Sequence, residues 1–276
     1  MTKSKHIRHA ARAAVSRVPG VLAVVLLAAI LYLSIAGFPA WVASRVMARV
    51  NSAGSVVLNF GGMRLSPLRM DLILEDARIY RKKVVGPAAV EARQLVISLD
   101  LVAMMKKEMF VRRIKMVDGT VRPKLCSGPD IPQEGPDESA RKAAFAVELE
   151  NCLIQGVNVT SLSADLHIEG VVVRFDNIGG TLSHGNMRGD VSGQLIYNDK
   201  ERILDGRLLT QLDPRLLIPV MNEWDLPGTV DLVSRFDFPR RPPKCEMTFR
   251  KLNHGLGDFS LDGKFAMQEC SYRGVD

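Results

Sequence analysis

The sequence predicts a mainly β protein: an N-terminal transmembrane helix followed by a curled antiparallel β-sheet, groove or sandwich, with two short helices. Three observations predict it. Residues 18–44 form a run of 27 without a single charge. From residue 70 onward apolar side chains recur with period two, and no long helical period appears between residues 145 and 211. The implied organisation is a basic cytoplasmic tail (1–17), a transmembrane helix (18–44), a first β segment with a short helix (45–126), a loop (127–141) and a second β segment (142–276) that a longer protein could extend.

As a helix the uncharged run is about 40 Å long, enough for a bilayer core of about 30 Å. Five of the seven basic residues in the first 60 (Lys3, Lys5, Arg8, Arg12, Arg17) precede it, so the positive-inside bias places the tail in the cytoplasm and the remainder across the membrane. Ser34-Ile35-Ala36 also has the small-residue spacing of a signal-peptidase site, so a cleaved signal peptide is the competing reading. Those 60 residues hold no acid, which leaves thirty basic and thirty acidic residues for 61–276. The net charge of +7 therefore belongs to the N-terminus, and the basic footprint of a nucleic-acid binder is missing.

The elements follow in order. Val46, Met47 and Val50 extend the helix by two turns before Asn51-Ser52-Ala53-Gly54 stops it. Met70, Leu72 and Leu74 alternate with Asp71 and Ile73, and Leu95, Ile97 and Leu99 with Val96 and Ser98, so these six apolar residues are expected on one side of a sheet and Ser98 on the other, where Ser98→Asp should be tolerated. Asp100 caps a short helix that ends in lysines. Asp118-Gly119 between two apolar stretches is a two-residue hairpin signature. The Pro- and Gly-containing stretch 127–138 is the clear internal boundary. Strands resume at Phe145–Leu149, Leu162–Ile168, Val171–Phe175 and Gly193–Tyr197, the last paired with Ile203–Thr210. Asp213-Pro214 opens a second short helix ended or kinked by Pro219. Strands near Thr229–Phe238, Cys245–Arg250 and Phe259–Met267 close the sequence, and the runs Leu99-Asp100 to Gly119-Thr120-Val121 and Leu212-Asp213 to Gly228-Thr229-Val230 echo each other.

Common catalytic arrangements are missing: no P-loop, no H-E-x-x-H, no G-x-S-x-G. His167, His184 and His254 have no metal-ligand spacing, and His6 and His9 belong to the basic tail. Cys126, Cys152, Cys245 and Cys270 contain no C-x-x-C and allow three pairings or none. Catalytic, metal and cofactor residues are accordingly expected to be none. The candidate site is instead the apolar face carried by Met70, Leu72, Leu74, Leu95, Ile97 and Leu99.

Residues 19–126 resemble the amino-terminal region of the AsmA-like family, which includes TamB and related inner-membrane proteins. The features that carry it run in order: the single anchor; Arg64-Leu65-Ser66-Pro67-Leu68 leading into Met70–Tyr80; Ala92–Leu99 with its Asp100-Leu101 helix start; and Val111–Gly119. Residues 145–276 are similar to the family's later portion in their Gly-punctuated strands, as in Gly179-Gly180-Thr181. The resemblance implies a sheet curled into an apolar groove that handles lipid or supports outer-membrane assembly, with membrane lipids and other envelope proteins as partners, no cofactor and no enzymatic activity. It implies a single-pass protein of the bacterial inner membrane whose C-terminal part is periplasmic. A bitopic scaffold that binds envelope proteins through a strand edge, and an exported hydrolase with a dispersed site, are the competing functions.

Overall fold

The computed structural model describes residues 37–53, 56–82, 86–106, 111–122, 142–198, 200–201, 203–223, 227–238, 242–252, 259–266 and 271–272. The uncharged run up to residue 36, and with it most of the expected membrane span, lies outside these residues. Among the described residues no helix is long and apolar enough to cross a membrane.

The first helix, α1 (Ala40–Ala53), follows a break at Gly37 (φ +76) and Pro39. Its apolar residues Val42, Ala43, Val46 and Met47 fall on one stripe, and that stripe packs on the sheet. At its end the Asn51 side chain imitates a strand neighbour. Oδ1 accepts from the Leu58 N–H at 2.7 Å and Nδ2 donates to the Leu58 carbonyl at 3.1 Å.

Strands β1 (Val56–Asn59) and β2 (Gly62–Ser66) pair in one register with the two halves of β3 (Asp71–Arg81), forming an edge interrupted at Phe60-Gly61. Then come β4 (Val90–Leu99), the short helix α2 (Leu101–Met105) and β5 (Val111–Val121). As expected, Asp100 caps α2: its Oδ1 accepts from the Val102 and Ala103 N–H groups at 2.9 and 3.1 Å. Five further strands form a continuous meander: β6 (Lys142–Ile154), β7 (Val157–Glu169), β8 (Val172–His184), β9 (Met187–Asn198) and β10 (Ile203–Gln211). A 3-10 turn (Pro214–Leu217), α3 (Ile218–Glu223), α4 (Pro227–Ser234) and the two-residue β11 (Phe236–Asp237) separate β10 from β12 (Lys244–Leu252) and β13 (Phe259–Ala266). The large sheet has twelve strands, ordered β1-β3-β4-β5-β6-β7-β8-β9-β10-β12-β13 with β2 also on β3. The other sheet among the described residues is the two-stranded β11–β14, where β14 is Ser271–Tyr272.

Four expectations are corrected. The large sheet is mixed rather than antiparallel, because β5 and β6 run parallel. A parallel neighbour needs a crossover that returns the chain along the strand, and the stretch expected to be a domain boundary supplies the length for it. Asp118-Gly119 is no hairpin turn but lies within β5. Asp118 takes φ +51, and a Cβ on Gly119 would stand 2.7 Å from the Glu91 carbonyl oxygen, so the pair serves close packing on β4. Thr229–Ser234 is helix rather than strand: Pro227 starts α4 and Asp231 pairs with Arg235 one turn on, at 2.7 Å. The echo between the two halves fails there too, since Gly228-Thr229-Val230 is helical. The second short helix opens at Asp213-Pro214 as a 3-10 turn that stops at Leu217, just before Pro219, and Pro219 is then the second residue of α3, where it needs no intrahelical N–H bond.

The register exposes a row that the periodicity hides. Asp76, Arg93, Asp118, Asn151 and Thr160 stand between flanking ladder pairs on β3 to β7, such as Glu75↔Gln94 and Ala77↔Ala92, or Glu150↔Ser161 and Cys152↔Val159. Three of the five, Asp76, Asp118 and Asn151, are left-handed (φ 51, 51 and 52). Asp and Asn tolerate that conformation better than other non-glycine residues. A residue so placed shifts the strand's alternation by one. Across the row apolar positions therefore step by three, from Leu74 to Ala77, Leu95 to Ala92, Leu149 to Cys152 and Leu162 to Val159.

Candidate functional site

The expected apolar face begins in the ladder of β2, β3 and β4. Met63 stands opposite Leu74, which stands opposite Leu95; Leu65 stands opposite Leu72, which stands opposite Ile97. Phe60, Met63, Leu74 and Ala77 are buried, and Leu72, Leu95 and Ile97 pack around them. So does α1, through Val42, Ala43, Val46 and Met47, with Phe38 beside it. Four of the six expected face residues are thus brought together, and part of the face serves as the seat of a helix.

The other two stand apart. Met70 is not in the strand: it ends the turn before β3 with φ +54, and its carbonyl accepts from the Leu99 N–H at 2.9 Å. Leu99 follows a register shift, where Ser98 stands opposite Arg113 and Leu99 opposite Val111 with Arg112 as the extra residue on β5.

Beyond Leu95 the face continues where period-two reading loses it. Ala92, Met116, Cys152 and Val159 form a buried cluster, flanked by Val90, Val121, Leu149, Ile154, Leu162 and Leu182. Leu95 belongs to both clusters, so one apolar surface runs from β2 to β8. The signal that could have found it is an Asp or Asn inside a strand with apolar residues spaced by three around it. Burial pushes the Cys152 thiol up from its ordinary pKa, which disfavours the thiolate; burial does the same at Cys245. Both are free thiols, and Cys126 and Cys270 lie outside the described residues.

The reverse side of the same strands is charged. Arg64 pairs with Glu75, Lys115 with Glu150, and Arg113 with Glu148 at 3.5 Å. Ser98 corrects an expectation. It is fully buried, donating to Asp71 Oδ1 at 2.5 Å and accepting from Arg113 Nε at 3.2 Å, while Asp71 is itself 4% exposed. A carboxylate at position 98 would therefore not be tolerated: it would be a third around the one Arg113 guanidinium.

The helical segment after β10 is pinned by charge as well. Asp213 accepts from the Arg215 backbone N–H at 2.9 Å, and the Arg215 guanidinium reaches Asp213 at 2.5 Å and Asp237 at 3.1 Å. Leu212 and Leu216 are buried beneath it. A cavity of 490 Å³ opens beside β10 and β12 and is lined by Asp190, Lys244, Glu246 and Lys264 among others. Among the described residues no three His, Cys, Asp or Glu side chains are grouped to hold a metal ion. His184 Nδ1 lies 3.2 Å from the Gly156 carbonyl oxygen and His167 Nε2 lies 4.0 Å from Asp176; the two histidines stand toward opposite ends of the neighbouring strands β8 and β7.

Compared with known families, curated proteins and solved structures, the chain gives no match.

Proposed function

We propose that this chain is a membrane-anchored, non-enzymatic protein of the bacterial envelope that holds lipid acyl chains along the apolar surface between β4 and β8. The observation that carries the reading is the continuity of that surface from Leu95 through Met116 and Leu149 to Leu182 on a twelve-stranded sheet that, among the described residues, runs open from β1 to β13. Curling such a sheet about the row at Asp76, Arg93, Asp118, Asn151 and Thr160 turns an apolar face into a trough. Each acyl methylene withdrawn from water there contributes about 0.8 kcal/mol. The AsmA-like pattern of residues 19–126 and the uncharged run from residue 18 to the break at Gly37 support the same reading, with an inner-membrane anchor, a periplasmic sheet and membrane lipids as partners. The alternative, a scaffold for other envelope proteins, is favoured by the edges at β1–β2 and β13, which have no further strand partner among the described residues.

The test extracts the full chain from membranes and measures bound lipid by mass spectrometry, beside Leu182→Asp and Ser183→Asp. Leu182 packs on the apolar cluster, whereas Ser183 stands opposite the exposed Arg188. Leu182→Asp should lose lipid about tenfold, equivalent to roughly 1.4 kcal/mol, and keep its far-ultraviolet circular dichroism. Ser183→Asp should retain both. Equal lipid in the two variants, or none in the parent chain, would turn the reading toward the scaffold.

A further inference from the structure

Large apolar side chains stand exposed at one end of the sheet. The turn between β2 and β3 carries Leu68, 98% exposed, and α2 carries Val102 and Met105, 62% and 84% exposed. The two segments are tied together by the Leu99 N–H bond to the Met70 carbonyl at 2.9 Å. Arg69, Lys106 and Arg112 are exposed around them. The two acids of the described stretches 66–71, 98–106 and 111–113 are already engaged: Asp71 with Ser98 and Arg113, Asp100 with the first N–H groups of α2. The end therefore presents apolar tips in a cationic setting.

The chain enters the fold on this same side. The Phe38 N–H donates to the Met63 carbonyl at 2.8 Å, three residues from the end of β2 that leads into the Leu68 turn. From there α1 runs to Asn51, whose side chain pairs with Leu58 toward the opposite end. The residues immediately before Gly37 are the uncharged run. A bilayer holding that run would face Leu68.

We infer that this end is a membrane-docking surface, in which Leu68, Val102 and Met105 enter the interface of an anionic bilayer and Arg69, Lys106 and Arg112 meet its phosphates. The inference goes beyond lipid handling by the sheet and rests only on the membrane anchor of that reading. Docking would fix the sheet's tilt, presenting its ends at a constant height above the membrane.

The experiment reconstitutes the full chain into phosphatidylglycerol vesicles with brominated acyl chains and records quenching of an added tryptophan, after subtracting the parent emission. Leu68→Trp and Met105→Trp should be quenched about threefold more than Leu209→Trp, placed near the far end of β10 and 46% exposed. Arg69→Glu combined with Lys106→Glu should cut quenching at position 68 by about half, and phosphatidylcholine vesicles should do the same. Quenching equal at positions 68, 105 and 209, or indifferent to both charge changes, overturns docking while leaving the anchor intact, provided the chain floats with the vesicles. A chain that fails to float overturns the anchor, and docking with it.

Discussion

The two faces of strands β2 to β6 are built from opposite chemistry on one backbone. On one side Met63, Leu72, Leu74 and Ile97 pack beneath and beside α1; on the other Asp71, Ser98, Arg113 and Glu148 form one linked group, beside the ion pairs Arg64–Glu75 and Lys115–Glu150. The apolar side is stabilised by area withdrawn from water, which is non-directional and forgiving of shape. The charged side is stabilised by particular partners, and loses most when one of them is left unpaired or given a rival. Only the first kind of surface can exchange its own helix for a ligand of similar chemistry. The charged side instead holds the strands in register.

The largest effect should come from breaking the apolar side with charge. Leu74 is 2% exposed and lies between Met63 and Leu95, so Leu74→Asp would bury a carboxylate with no cation on its face. It should cost more than about 4 kcal/mol, a large part of the 5 to 15 kcal/mol that a domain has, whereas Leu74→Ala should cost about 2 to 4. Urea unfolding of both variants checks this. Equal losses would mean that the face hydrates readily and that α1 lies loosely on it.

Much of this comparison is legible in the sequence. Alternation locates β3, β4 and the meander from β6 to β10, and puts Leu72, Leu74, Leu95 and Ile97 on a single side, because side-chain period is a local property of extended backbone. What it misses is set by neighbours. Ser98 reads as solvent-facing since period two reports the side and not what fills it; only pairing with Asp71 and Arg113 buries it. The parallel β5–β6 junction depends on a contact across a long connection, which no local pattern encodes. Met116, Cys152 and Val159 escape because the row residues Asp118, Asn151 and Thr160 shift the alternation, and a search for strict period two stops there.

The middle-sized effect sharpens the charged side. Ser98→Ala removes a hydroxyl bonded to both Asp71 and Arg113 and should cost about 1 kcal/mol. Ser98→Asp places a second carboxylate against the buried Asp71, which Arg113 cannot offset while it also serves Glu148, and should cost roughly 2 to 3 kcal/mol. Thermal unfolding at neutral pH separates them. Were Ser98→Asp the milder of the two, Arg113 would have room for another partner and the ion-pair side would be less committed than its geometry implies.

The smallest effect concerns the row that lets one apolar face continue through five strands. Asn151 is exposed, so its side chain contributes little packing, and its value lies in a backbone held at φ +52 between Glu150↔Ser161 and Cys152↔Val159. Glycine adopts that conformation freely, so Asn151→Gly should stay within about 0.5 kcal/mol of the parent. A β-branched residue resists it, and Asn151→Val should cost about 1 to 2 kcal/mol despite valine's preference for strands. Because relaxing to ordinary strand geometry would turn Cys152 and Ile154 to the charged side, the valine variant should also expose its buried thiol. Faster alkylation of Cys152, located by peptide mass spectrometry, would report this directly. If Asn151→Val were as stable as Asn151→Gly with Cys152 still protected, the left-handed residue would not be what carries the apolar face across the sheet.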